Sequence, residues 1–171
     1  LGIDIINHKD KDKRIKFKKI NASKFFLNNK GKFDLILIKQ TIHLLNIKEI
    51  KKLLNLSKKN LSQKGKILIF TLDFDNNEIP TFSLMRRKLT KTLKRDKKIF
   101  KLIMKLYPYK KNKFIYRVNI NKNKYLKMIK ERYISTLLSF TEQDLQKGLN
   151  EINLRYKNKM KFRDKLICLS L

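Results

Sequence analysis

Two largely apolar stretches constrain this chain more than any other feature. Residues 33–38 read Phe-Asp-Leu-Ile-Leu-Ile, and residues 66–72 read Lys-Ile-Leu-Ile-Phe-Thr-Leu. Runs of this kind mark strands covered on both faces, as in a parallel sheet flanked by helices. The segment between them carries helix signals. Asn46 stands where a cap belongs, and Glu49 follows three residues later. Ile47, Ile50, Leu53 and Leu54 fall on one face, and Gly65 is placed to turn the chain out. Strand, helix, strand with short connections specify a right-handed βαβ unit, so the first half is α/β.

The remaining segments extend this pattern. Leu1 to Ile6 is a short apolar run broken by Asp4, residues 7–14 are polar and loop-like, and residues 15–20 alternate as a strand with one solvated side. Residues 81–107 have helical spacing and stop at Pro108, and residues 114–120 form a candidate strand. Residues 122–139 place Tyr125, Ile129, Tyr133 and Leu137 on one helical stripe. Thr141 to Asp144 open another helix with Leu145, Leu149, Ile152 and Tyr156 on its inner face, and residues 159–171 read as a last strand. A length of 171 residues suits a single domain. No apolar run approaches a membrane span and no signal peptide opens the sequence, so no membrane partner is expected. A lone Cys168 excludes an intramolecular disulfide and fits a reducing cytoplasm. Two widely separated histidines and one cysteine make no metal site.

Charge is the most conspicuous part of the composition. Forty-four Lys and Arg against fourteen Asp and Glu leave a net +30, which taken alone points to a nucleic-acid or anionic partner. The kind of cation argues otherwise. Only 8 are Arg and 36 are Lys, alongside 21 Ile and 16 Asn. These three abundant residues share A/T-rich codons, so a base-composition bias raises them together. Residues that read bases or fork onto phosphates are preferentially Arg.

Ligands of open α/β sheets sit outside the carboxyl ends of the strands. Those ends offer Asp4, then Asn21 with Ala22, then Lys39 with Gln40, and finally Asp73, Phe74 and Asp75. A carboxylate's paired acceptors suit the vicinal diol of a ribose, and an amide beside a small residue suits an adenine edge.

In order and spacing, the segments Leu1–Ile6, Ile20–Phe25, Phe33–Leu45 and Leu61–Phe70 resemble those of the class I S-adenosylmethionine-dependent methyltransferases. The tail from Arg132 to Ile152 is similar to small-molecule enzymes related to trans-aconitate methyltransferase. The resemblance implies a Rossmann-like, mostly parallel sheet in the order 3-2-1-4-5-7-6, with S-adenosylmethionine as cofactor. It implies cofactor binding by Asp4 (ribose), by Asn21 and Ala22 (adenine), and by Lys39 and Gln40 beside the methyl donor. Where the family carries an acid before the alanine, this chain carries Asn21. None of its four glycines forms the family's Gly-x-Gly-x-Gly loop, which lies upstream of the acid. The chain begins with Leu1 inside a strand, so it reads as one partial domain over residues 1–171, lacking the first strand and inactive as a fragment.

The activity implied is methyl transfer to a small-molecule acceptor. The alternative is an RNA methyltransferase or a basic nucleic-acid-binding protein. Residues 81–140 read as a helical insertion or lid before the last strands, with Phe82, Met85, Tyr107 and Tyr125 as candidates for a pocket wall. Taken one by one, the same residues read more readily as core, and Asp34 and His43 as structural groups. No catalytic residue is singled out, because in-line positioning of donor and acceptor supplies much of the acceleration in such transfers.

Overall fold

The computed structural model describes residues 1–6 and 13–171, which divide into two compact units, Leu1–Ile69 with Ser170–Leu171 and Phe70–Leu169. The loop expected over residues 7–14, His8 included, lies for the most part outside the described residues.

The N-terminal unit begins with two short parallel strands, β1 (Gly2–Asp4) and β2 (Phe17–Lys19), paired Gly2 to Phe17 and Asp4 to Lys19. Helix α1 (Ala22–Asn28) follows directly. Sequence reasoning had only a strand end there, because seven residues are too few to show a helical period. The unit continues through β3 (Phe33–Lys39), a 3-10 turn (Ile42–Leu44), α2 (Ile47–Lys59) and β4 (Leu61–Leu72). The cap of α2 is the expected one: Asn46 Oδ1 accepts from Glu49 N at 3.0 Å, and Glu49 Oε2 accepts from Asn46 N at 2.8 Å. Such a cap stabilises a helix by about 1 kcal/mol. Ile50, Leu53 and Leu54 are buried, whereas Ile47 stays exposed.

Gly65 falls within the bounds of β4, yet the chain does turn tightly there, since a Cβ on residue 65 would meet Ser62 N, three residues back, at 3.1 Å. A Cβ there would sit 2.6 Å from the Phe33 carbonyl oxygen, so glycine is required by the close approach of β3. The two strands begin side by side, with Phe33 N donating to Asn60 O at 2.8 Å and Ser62 Oγ to Asp34 at 2.6 Å, as parallel neighbours do. Coverage of β3 is one-sided. Ile36 and Ile38 are buried, but Leu35 and Leu37 are 55% and 56% exposed, so the expectation of helices on both faces fails for this strand.

The C-terminal unit holds α3 (Ser83–Leu106), β5 (Lys110–Asn121), α4 (Lys122–Lys130), a 3-10 turn (Ser135–Leu137), α5 (Glu142–Arg155) and most of β6 (Lys159–Ser170). The segment 81–140 is therefore not purely helical, since β5 is a strand of the sheet. The helix expected over 122–139 stops at Lys130. Arg132 takes φ 57°, and its guanidinium donates to the carbonyls of Leu137 and Phe140 at 2.7 and 2.8 Å. The core of this unit contains Phe82, Met85, Tyr125, Ile129, Leu145 and Ile152.

The strands are ordered β1-β2 in one sheet and β3-β4-β6-β5 in the other. Strand β6 runs against both its neighbours. Ile67 exchanges backbone bonds with Leu171 while Asp73 N donates to Lys165 O, so six residues forward on β4 are six residues back on β6. At the other edge, Lys122 N donates to Asn158 O, placing the end of β5 beside the start of β6. With β1 and β2 counted as family strands 2 and 3, the two sheets read 3-2 and 4-5-7-6. Among the described residues no strand stands between β1 and β3. No helix among them is long and apolar enough to cross a membrane.

Candidate functional site

The predicted cofactor residues all fall in the N-terminal unit, at the ends where the sheet rule puts them. Asp4 is the last residue of β1. One of its carboxylate oxygens accepts from Ile6 N at 3.1 Å, a bond that bends the chain away from the strand end. Asn21 caps α1: its Oδ1 accepts from Ser23 N and Lys24 N at 2.9 and 3.2 Å. That capping engages the side-chain oxygen as acceptor. Ala22 opens the helix. Lys39 ends β3, and Gln40 follows with φ 53°. A left-handed backbone at a non-glycine residue is uncommon and costs on the order of 1 kcal/mol or more; such residues cluster at functional sites. The next residues form the 3-10 turn that carries His43.

The fourth strand end lies in the C-terminal unit. Asp73 is 2% exposed. Its Oδ1 accepts from Asp75 N and Asn76 N at 3.0 and 3.2 Å, and its Oδ2 lies 3.2 Å from Lys113 Nζ. Burial alone would raise its pKa; the Asp75 amide, the Lys113 ammonium and the Asn76 amide outweigh this and hold it below the ordinary value. Asp73 is thus a structural anion that closes the turn after β4.

Beyond that turn, a cleft of about 650 Å³ opens along α3. Its wall includes Phe74, Ile79, Leu89 and Leu93, and its polar lining includes Asp75, Glu78, Arg86, Thr90, Lys94 and Lys97. Glu78 accepts from Arg163 Nη2 and from Lys165 Nζ, each at 2.6 Å. The Arg163 and Lys165 bonds pull its pKa down to about 2. Of the residues proposed as a pocket wall, Phe82, Met85 and Tyr125 are core, and Tyr107 lines a separate depression near Pro108. Sequence reasoning missed the cleft. Its available signal was Arg86, Thr90 and Lys94 at four-residue spacing, masked by lysines on every side. Among the described residues no cluster of His, Cys, Asp and Glu could hold a metal.

No family model matches the sequence, and no curated protein is significantly similar to it. Solved structures do match. A candidate methyltransferase from an antibiotic biosynthesis pathway of Anabaena variabilis aligns with TM-score 0.52 at 14% identity, over 95% of this chain and 76% of that one. The fold is that of the class I methyltransferases. Two weaker alignments carry no argument of their own. One is to precorrin 8W decarboxylase from Methanobacterium thermoautotrophicum (TM-score 0.42, 8% identity, 93% of this chain). The other is to the plantazolicin methyltransferase BamL, solved with SAH (TM-score 0.39, 15% identity, 90% of this chain). The chain spans 55% of the former protein and 58% of the latter.

Proposed function

We propose that this chain belongs to an enzyme that transfers a methyl group from S-adenosylmethionine to a small-molecule acceptor. The observation that carries the reading is the strand order, 3-2 and 4-5-7-6 with the last strand reversed, together with polar residues at the strand ends where that fold binds its cofactor. Asp4 would hold the ribose, the Asn21 amide and Ala22 the adenine, and Lys39 with Gln40 the region of the methyl donor. The residues fit this in chemistry: one carboxylate and one amide stand at strand ends, beside a backbone kink at Gln40. S-adenosylmethionine supplies an electrophilic methyl group when bound. The protein's own contribution is to hold donor and acceptor in line and exclude water, which needs no nucleophilic side chain.

Calorimetric titration of S-adenosylmethionine into a longer protein that carries a glycine-rich loop upstream of this chain tests the reading. Asp4→Ala is expected to weaken binding by about 1.5–3 kcal/mol, the usual worth of hydrogen bonds to a charged group. Equal affinity in the variant removes Asp4 from the site. If that longer protein binds neither the methyl donor nor its demethylated product, the methyltransferase reading is lost.

A further inference from the structure

We infer that the cleft along α3 is a binding site for a small organic anion, with Arg86 and Lys94 as its cationic partners and an apolar wall for the rest of the ligand. The inference does not rest on methyl transfer; it concerns a site wholly within the C-terminal unit. Three cations and two acids line the cleft, so its lining is nearly balanced by count. The acids, however, are already engaged. Asp75 is paired with Lys97 at 2.6 Å, and Glu78 is held by Arg163 and Lys165 from β6. Lys97 is consumed by the same pairing. Two cations are left over.

Neither of these makes an ion pair closer than 4 Å among the described residues. Arg86 Nε donates to Thr81 Oγ1 at 3.2 Å, which fixes the guanidinium plane but leaves its terminal nitrogens available. One further carboxylate, Glu151, feels the Arg86 charge, yet its oxygens already accept from Ser83 and are paired with Arg155. Arg86 and Lys94 stand eight residues apart on one helical face, roughly 12 Å along the axis, with the Thr90 hydroxyl midway. Both side chains are long enough to converge on an anionic group seated over Thr90. Leu89 and Leu93 are buried beside them, and Phe74 and Ile79 form the facing wall. A carboxylate or phosphate carried on an apolar body satisfies both halves of the lining. A free inorganic ion would leave the apolar half unused.

The test is calorimetric titration of the full chain with 3-phenylpropionate, phenyl phosphate and the neutral 3-phenylpropionamide. Saturable binding of at least one of the two anions is expected, with the amide bound at least tenfold more weakly. Arg86→Gln and Lys94→Gln should each reduce anion binding about tenfold. Both sites are exposed, so circular dichroism and the urea midpoint should not move. Lys130→Gln, an exposed charge on α4, controls for the diffuse field of a +30 protein and should leave binding unchanged. Three results overturn the inference: no saturable binding of either anion, equal binding of the amide, or an equal loss in Lys130→Gln. The relative affinities of the two anions identify which head group the site takes.

Discussion

Gly148→Ala sets two well-known effects against each other at one residue. Gly148 lies in the middle of α5, where alanine favours the helix by about 0.8–1.0 kcal/mol. Opposing this is the ring of Phe82. A Cβ on residue 148 would sit 2.6 Å from Phe82 Cγ and Cδ1 and 2.7 Å from Cδ2. Carbon contacts are comfortable at about 3.5–4.0 Å, so ring or helix must give by roughly 1 Å. The ring has little freedom to do so. Phe82 is 1% exposed, belongs to the core with Met85 and Leu145, and packs on Phe140 with centroids 5.6 Å apart. Overpacking of this kind costs about 1–3 kcal/mol, which exceeds the propensity gain over most of its range.

The expected net effect is destabilisation by about 1 kcal/mol, read as a lower urea midpoint at unchanged slope. Shrinking the opposing ring should remove the penalty. In a Phe82→Leu background, Gly148→Ala should be neutral or stabilising, and the double-mutant cycle should show about 1–2 kcal/mol of favourable coupling. If Gly148→Ala alone stabilises the protein by about 1 kcal/mol, as propensity predicts, the packing argument is refuted.

Two further outcomes follow from the C-terminal unit. The buried Tyr125 hydroxyl donates to Pro80 O at 2.6 Å and lies 2.9 Å from Tyr133 Oη, with burial first and the partner phenol second raising its pKa. Tyr125→Phe should cost about 1–3 kcal/mol in urea unfolding because a carbonyl and a hydroxyl lose their partner together, and Tyr133→Phe should cost less. Glu78, held near pKa 2 against an ordinary 4.5, contributes stability that is fully present above pH 4.5 and lost as pH falls from there toward 2. Glu78→Gln should flatten the acid limb of the stability curve; a variant curve parallel to the wild type would show that the pairing with Arg163 and Lys165 contributes nothing.

What the sequence made legible was local. The helix starts at Asn46–Glu49 and Thr141–Asp144 need only four residues each, and in the structure both form capping boxes. The long helix ends at Leu106, two residues before Pro108, because proline cannot continue it. The strand ends carrying Asp4 and Lys39 were likewise placed correctly. The failures concern what lies across from a residue. The apolar run 33–38 could not reveal that Leu35 and Leu37 are left more than half exposed. Gly65 was read as a turn and is one, but the sequence could not show the Phe33 carbonyl of another strand that also presses on the position. Glu78 meets Arg163 and Lys165 across 85 and 87 residues of chain, a distance at which no local pattern exists. The cleft was missed for the same reason, since one side is a turn after β4 and the other a helix face.

The same distinction bears on the positive charge. Pairing every one of the fourteen acids would still leave 44 − 14 = 30 cations, so a diffuse field is present whatever the fold does with its carboxylates. Such a field attracts any polyanion and specifies none. The strand most suggestive of nucleic-acid contact is β5, where Phe114 and Tyr116 are exposed among Lys110, Lys111, Lys113 and Arg117. Two of those cations serve the protein itself: Lys113 neutralises buried Asp73, and Lys111 lies 6.0 Å from the Phe74 ring centre. The α3 cleft has the opposite arrangement. There the fold engages the acids and leaves Arg86 and Lys94 beside a concave apolar wall, so a ligand must match both the charges and the apolar surface, which an open strand does not require.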